Sequence, residues 1–139
     1  MGRPPSFLAR LASRPDGWRL RNTRADTVLA ERVELAADSK SRKRGLLGRD
    51  RLEEGHALVI VPCGAVHTFF MRFTIDVLFV RRDGRVVKCA HAVRPWRMAV
   101  ALGAYAVIEL PAGALRRSGT GRGDRLVFEP TTPAPSGGE

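Results

Sequence analysis

A chain of 139 residues is long enough for one ordinary domain with its own buried core and too short for two. Its 44% hydrophobic residues exclude a disordered chain, and its two cysteines exclude a disulfide framework. Lys and Arg outnumber Asp and Glu by 24 to 14, giving a formal charge of +10, and only Lys40, Lys43 and Lys88 of those 24 are Lys. Such an Arg excess reads either as the mark of a GC-rich genome or as a basic face for phosphate, nucleic acid or anionic lipid.

Residues 1–17 contain three prolines and scattered arginines and read as a flexible N-terminal arm. Pro4, Pro5, Arg10 and Arg14 interrupt it too often for a secretory signal. No stretch approaches the length of a membrane span, so a cytoplasmic location is expected. Residues 18–129 form the folded domain, and the Pro/Gly/Ser/Thr-rich residues 130–139 read as a disordered tail.

Strand signals dominate the domain. Trp18 to Arg24 alternates loosely, and Thr27 to Ala36 places Leu29, Val33 and Leu35 on one face against Arg32 and Glu34 on the other. Asp38 is a suitable N-cap for a short helix over Ser39 to Leu47, with Gly48 placed to end it. Ala57 to Val61 is a short apolar run, and His67 to Met71 follows it as a strand. Ile75 to Arg81 and Arg85 to Val93 flank Asp83-Gly84, the strongest hairpin signal in the chain. Tyr105 to Leu110, a helical turn over Ala112 to Arg117 and a last strand from Arg125 to Glu129 complete the set. Strands separated by turns rather than helices predict a mainly β fold. An antiparallel β-sandwich or partly open β-barrel of about seven short strands, with one or two short helices, fits best.

Several boxes then stand out in order: Arg44-Gly45-Leu46-Leu47-Gly48-Arg49, His67-Thr68-Phe69-Phe70-Met71, Ile75-Asp76-Val77-Leu78-Phe79, Asp83-Gly84, Glu109-Leu110-Pro111-Ala112-Gly113 and Gly123-Asp124. Together they resemble the bacterial and archaeal family called domain of unknown function 192 (UPF0127-like). Phe70 stands where that family commonly has Trp, and Leu47 where it has Met. The resemblance spans about Ala36 to Val127. It implies a compact, mostly β domain and no agreed substrate, cofactor or reaction.

Three constellations carry chemistry. His67, Met71, Asp76 and Glu109, with Arg44 and Arg49, are polar or soft groups near strand ends, suited to a ligand. The alternative for the two carboxylates is structural pairing, because an unpaired buried charge is expensive. Cys63, His67, Cys89 and His91 could offer two ligands from each of two strands, a Cys2His2 metal set if those strands are neighbours. The plainer reading is two buried thiols and two unrelated imidazoles. Arg94, Trp96 and Arg97 form a basic and aromatic unit suited to stacking and phosphate contact, unless Trp96 packs on the core edge. Phe69, Phe70, Met71, Phe73 and Phe79 read as core, although alternation cannot turn both Phe69 and Phe70 inward.

No nucleophile box accompanies His67, so triad chemistry finds no support. The leading expectation is a non-catalytic binding or accessory domain for a small polar ligand or a protein partner, with its pocket around His67 and Asp76. No cofactor is implied. The alternatives are a metal-assisted hydrolase using His67, Asp76 and Glu109, and nucleic-acid or anionic-surface binding through the Arg/Trp face.

Overall fold

The computed structural model describes residues 17–131. The expected arm and tail lie outside those residues, apart from Gly17, Pro130 and Thr131. Pro130 is no longer tail: it is the last residue of a strand and pairs with Trp18, and the Thr131 amide donates to the Gly17 carbonyl at 2.6 Å.

Among the described residues ten strands and two short helices follow one another as β1 (Trp18–Asn22), β2 (Thr27–Ala30), β3 (Arg32–Ala36), α1 (Ser39–Arg44), β4 (His56–Ile60), β5 (Ala65–His67), β6 (Ile75–Val80), β7 (Val86–Val93), β8 (Met98–Val100), β9 (Ala106–Pro111), α2 (Ala114–Ser118) and β10 (Leu126–Pro130). The fold is mainly β, as expected, and is not a closed barrel. A central sheet runs β3-β4-β9-β6-β7, a second runs β10-β1-β2, and β5-β8 form a two-stranded ribbon. One pair departs from the expected antiparallel pattern. β3 and β4 are parallel, with α1 in the chain that carries one to the other.

Both faces of the central sheet are covered, which is why β6 and β9 are buried at every residue. On one face Leu78, Val80, Ile108 and Leu110 meet Leu20, Phe128 and Leu115 from β1, β10 and α2. On the other face Val77, Phe79 and Val107 meet Leu46, Leu52, Val66 and Met71. The two layers are built from alternate residues of the same strands.

Four local expectations are corrected. The run Thr27 to Ala36 is two strands in two sheets, because the amides of Glu31 and Arg32 both turn to the Gly55 carbonyl, at 2.8 and 3.0 Å. The helix ends at Gly45 rather than near Gly48, since Gly45 adopts φ 47°, ψ −125°, a conformation no helix continues through. The expected strand over His67 to Met71 stops at His67, where the Met71 amide turns back to the Thr68 carbonyl at 3.1 Å. Phe70 is consequently 71% exposed and not core. The Asp83-Gly84 hairpin forms as expected, with Asp83 Oδ1 accepting the Arg85 amide at 3.0 Å.

Candidate functional site

The register of β6 on β9 decides which polar residues can meet. Asp76 stands opposite Leu110, and Glu109 stands opposite Val77. Directly paired residues share a face, so consecutive Asp76 and Val77 place Asp76 and Glu109 on opposite sides of the sheet.

On its side of the sheet Asp76 is enclosed by backbone. Asp76 is buried, and its carboxylate accepts three backbone amides, those of Ala92 (2.9 Å), Gly113 (3.0 Å) and Leu115 (3.0 Å). It therefore ties β7 and the start of α2 to β6. The expectation that Asp76 helps form a ligand pocket is corrected: its oxygens are consumed by the fold. Arg49 is likewise engaged elsewhere, in a two-bond pair with Glu34 at 2.9 and 3.1 Å.

On the Glu109 side, α1, the turn after it, β4 and β5 enclose a half-open pocket of about 560 Å3. Its construction begins with Asp38, whose carboxylate caps α1 by accepting the Ser41 amide at 2.8 Å. The helix is short and ends at Gly45, and the chain then turns so that Leu46 is buried in the second core layer. That turn brings the Gly45 α-carbon beside the floor: a methyl there would stand 4.0 Å from Glu109 Oε1. The apolar walls are Leu46, Leu47, Ile60, Val66 and Met71, with Cys63 and His67 on the β5 side. Arg42, Lys43 and Arg44, in the last turn of α1, form a basic rim.

Glu109 is the floor. It is 3% exposed, and its Oε1 is the one buried side-chain nitrogen or oxygen without a hydrogen-bond partner among the described residues. Burial pushes its carboxyl up to about 7, against the smaller opposing pull of the Arg49 charge. Cys63 donates its thiol to the Ala65 carbonyl at 3.0 Å, and burial pushes it up as well, so it is a thiol and not an activated thiolate.

Of the expected ligand residues, then, His67, Met71, Glu109 and Arg44 share one pocket, whereas Asp76 and Arg49 lie outside it. The four-residue metal set does not assemble. Cys63 lines the pocket, and Cys89 packs into the core of the opposite face. Among the described residues no three His, Cys, Asp or Glu side chains cluster as metal ligands. Lys43, Arg42 and Cys63 are pocket residues that their types alone did not single out for this role. α1 brings Arg42 and Lys43 to the pocket, and the turn between β4 and β5 brings Cys63.

The Arg94, Trp96, Arg97 segment adjoins the pocket through His67. The His67 ring stacks on Phe69 at 4.9 Å, Phe69 stacks on Trp96 at 5.7 Å, and Trp96 meets Phe70 at 4.6 Å. Trp96 is 56% exposed, so it does not pack into the core edge. Phe70 (φ 67°) and Trp96 (φ 66°) both hold left-handed backbone that large side chains rarely adopt. Thr68, which the sequence did not flag, holds this arrangement. Its buried hydroxyl accepts the Arg97 amide at 2.9 Å and donates to the Arg94 carbonyl at 2.6 Å.

Comparison with known proteins follows the same lines. The DUF192 family model, described as "Uncharacterized ACR", matches residues 20–128. A UPF0127 protein of Thermococcus sibiricus is 35% identical over 109 residues, covering 73% of this chain and 69% of that protein. Two crystal structures share the fold. One, from Sinorhizobium meliloti and described as a candidate transcription regulator, superposes with a TM-score of 0.72 at 24% identity, over 81% of this chain and 92% of its own. The other, a protein of unknown function from Novosphingobium aromaticivorans, gives 0.68 at 25% identity, over 78% and 81%. No helix among the described residues is long and apolar enough to cross a membrane.

Proposed function

The chain belongs to the DUF192 family, and from that premise we propose that it is a non-catalytic binding domain whose pocket, floored by Glu109 and edged by His67, takes a small polar ligand. The observation that carries this reading is Glu109, a buried carboxylate with an unpartnered oxygen, lining a pocket of small-molecule size. Buried polar groups are normally satisfied, and the chain satisfies its other buried carboxylates, Asp76 and Asp124, from within. The Cys63 thiol is given to the Ala65 carbonyl and pushed up by burial, which favours binding over turnover. Two free thiols, Cys63 and Cys89, suit a reducing, cytoplasmic setting.

The test is a metabolite screen on the 15N-labelled chain by NMR. At least one compound is expected to shift the amides of Gly45, His67 and Met71, and His67→Ala with Glu109→Gln should abolish that response. A screen whose binders all act elsewhere, or which finds none, removes the reading.

A second reading rests on the exposed aromatic ledge. Phe70, Trp96, Met98, Val100 and Leu102 are large apolar side chains in solvent, with Arg94 and Arg97 exposed beside Trp96. Aliphatic side chains among the rings favour an anionic lipid surface over a nucleic acid, which would want stacking faces alone. Sedimentation with phosphatidylglycerol vesicles tests it: binding should be lost in Trp96→Ala and in high salt. Equal affinity for uncharged vesicles, or preference for a single-stranded oligonucleotide, overturns it.

A further inference from the structure

We propose that the ligand of this pocket is amphoteric: a small molecule whose ammonium end meets Glu109 on the floor and whose carboxylate or phosphate end meets Lys43 and Arg44 at the rim. This rests on the pocket reading above and gives its ligand a chemical class.

The floor asks for a donor. Glu109 Oε1 has no partner among the described residues, and Arg49, whose charge acts on it, is held by two bonds to Glu34. A buried carboxylate oxygen in that state is costly, and an N–H donor of positive charge is the group that relieves it best. The rim asks for the opposite. Lys43 and Arg44 are exposed, line the same pocket and form no ion pair with any described residue. Between them the walls are apolar side chains, among them Leu47, Ile60, Val66 and Met71.

Each simpler class leaves one end unmatched. A plain amine would satisfy Glu109 but enter past three cations. A plain carboxylate would suit the rim and leave the floor oxygen without a donor. An amine and an anion joined by a short aliphatic stem satisfy floor, wall and rim together. Gly45 lines the pocket beside the floor, where an added methyl would stand 4.0 Å from Glu109 Oε1.

Calorimetry and 15N NMR on the intact chain test this with defined probes. Free α-amino acids, 5-aminopentanoate and phosphoethanolamine form the amphoteric set, and pentylamine, pentanoate and methyl phosphate are the single-charge controls. The best amphoteric probe should bind at least about tenfold more tightly than the matching amine or anion, since a charge-assisted bond is lost with either end. Glu109→Gln should weaken that probe about tenfold or more without lowering the melting temperature. Lys43→Ser with Arg44→Ser should reduce the amphoteric probe to the affinity of the amine. If the anions bind as tightly as their amino derivatives, or Glu109→Gln leaves affinity unchanged, the amphoteric class is wrong while the pocket reading stands. If no probe and no compound of the wider screen moves the pocket amides, both fall.

Discussion

Asp76 and Glu109 are carried on adjacent strands, one step out of register, and the step sends them to opposite faces of the central sheet. One is saturated by three backbone amides, and the other has an oxygen with no partner. Two buried carboxylates of similar sequence setting thus do different work. Asp76 fixes the fold, and Glu109 is the floor of the pocket.

The assignment of Asp76 to the fold predicts a large stability loss without any change confined to the pocket. Asp76→Ala takes the acceptor from three amides, one buried and two partly buried, and leaves a cavity in the sheet, so a loss of about 3–5 kcal/mol is expected. Asp76→Asn keeps one acceptor oxygen and should lose less. Urea denaturation measures both. A neutral Asp76→Ala would mean that the amides of Ala92, Gly113 and Leu115 find other partners, and the structural role would be untenable.

Glu109 predicts an unusual pH dependence. Its folded-state pKa of about 7 lies above the ordinary 4.5, so the folded chain binds the proton more tightly than the unfolded chain does. Stability from this group is therefore fully present below pH 4.5 and is lost as pH rises toward 7, with no further change above it. At about 1.4 kcal/mol for each pH unit, the interval from 4.5 to about 7 corresponds to ~3 kcal/mol. Glu109→Gln should remove that slope and be the more stable protein at pH 8. Parallel curves for the two proteins between pH 4.5 and 8 would refute the buried carboxyl.

Asp124 predicts the opposite limb. The Arg24 guanidinium bond, 2.6 Å from Oδ1, holds its carboxyl well below the usual range, with Asn22 and the Gly121 amide assisting. A depressed acid stabilises above its unfolded pKa of about 3.8 and loses that contribution as pH falls further. Asp124→Asn should cost about 2 kcal/mol at pH 7, because it breaks bonds to a buried cluster, and should soften acid unfolding. An unchanged acid limb would show that other groups set it.

These differences mark what a sequence can carry. The Asp83-Gly84 hairpin, the buried run of β6 and the closing strand β10 were legible because turn chemistry and hydrophobic runs are local. The break at Glu31 was not, since alternation reads the same whether a strand stays in one sheet or moves to another. Strand β8 was missed because Met98–Val100 pairs only with β5 and presents its apolar side chains to solvent. The family boxes located His67, Arg44 and Glu109. They could not separate Glu109 from Asp76, because that depends on the register between strands more than thirty residues apart. Lys43 joins the pocket through its place on α1, and Cys63 through the turn between β4 and β5.

Thr68 predicts a local loosening. Thr68→Val keeps the shape and deletes the hydroxyl that joins Arg94 and Arg97, at a cost of about 1–3 kcal/mol. Hydrogen exchange should speed up at Trp96 and Arg97, while the amides of β4, β6 and β9 keep their protection. Uniform acceleration across the sheet would show that Thr68 supports the core as a whole rather than the aromatic ledge.

Gly45 joins the backbone argument to the pocket argument. At φ 47°, ψ −125° an alanine is strained wherever it finds room, and the space here is ample, with the nearest atoms at 3.8 and 4.0 Å. Gly45→Ala should therefore cost about 1–3 kcal/mol through conformation and not through a clash. The second of those neighbours is Glu109 Oε1, so the new methyl also takes up space beside the pocket floor. Gly48 supplies the control, because it too has positive φ (83°) but nothing within 4 Å of its added methyl. Gly48→Ala should lower stability comparably and leave ligand affinity intact, whereas Gly45→Ala should lower both. If the two variants bind alike, the approach to Glu109 does not pass Gly45, and the pocket must be entered from the His67 side.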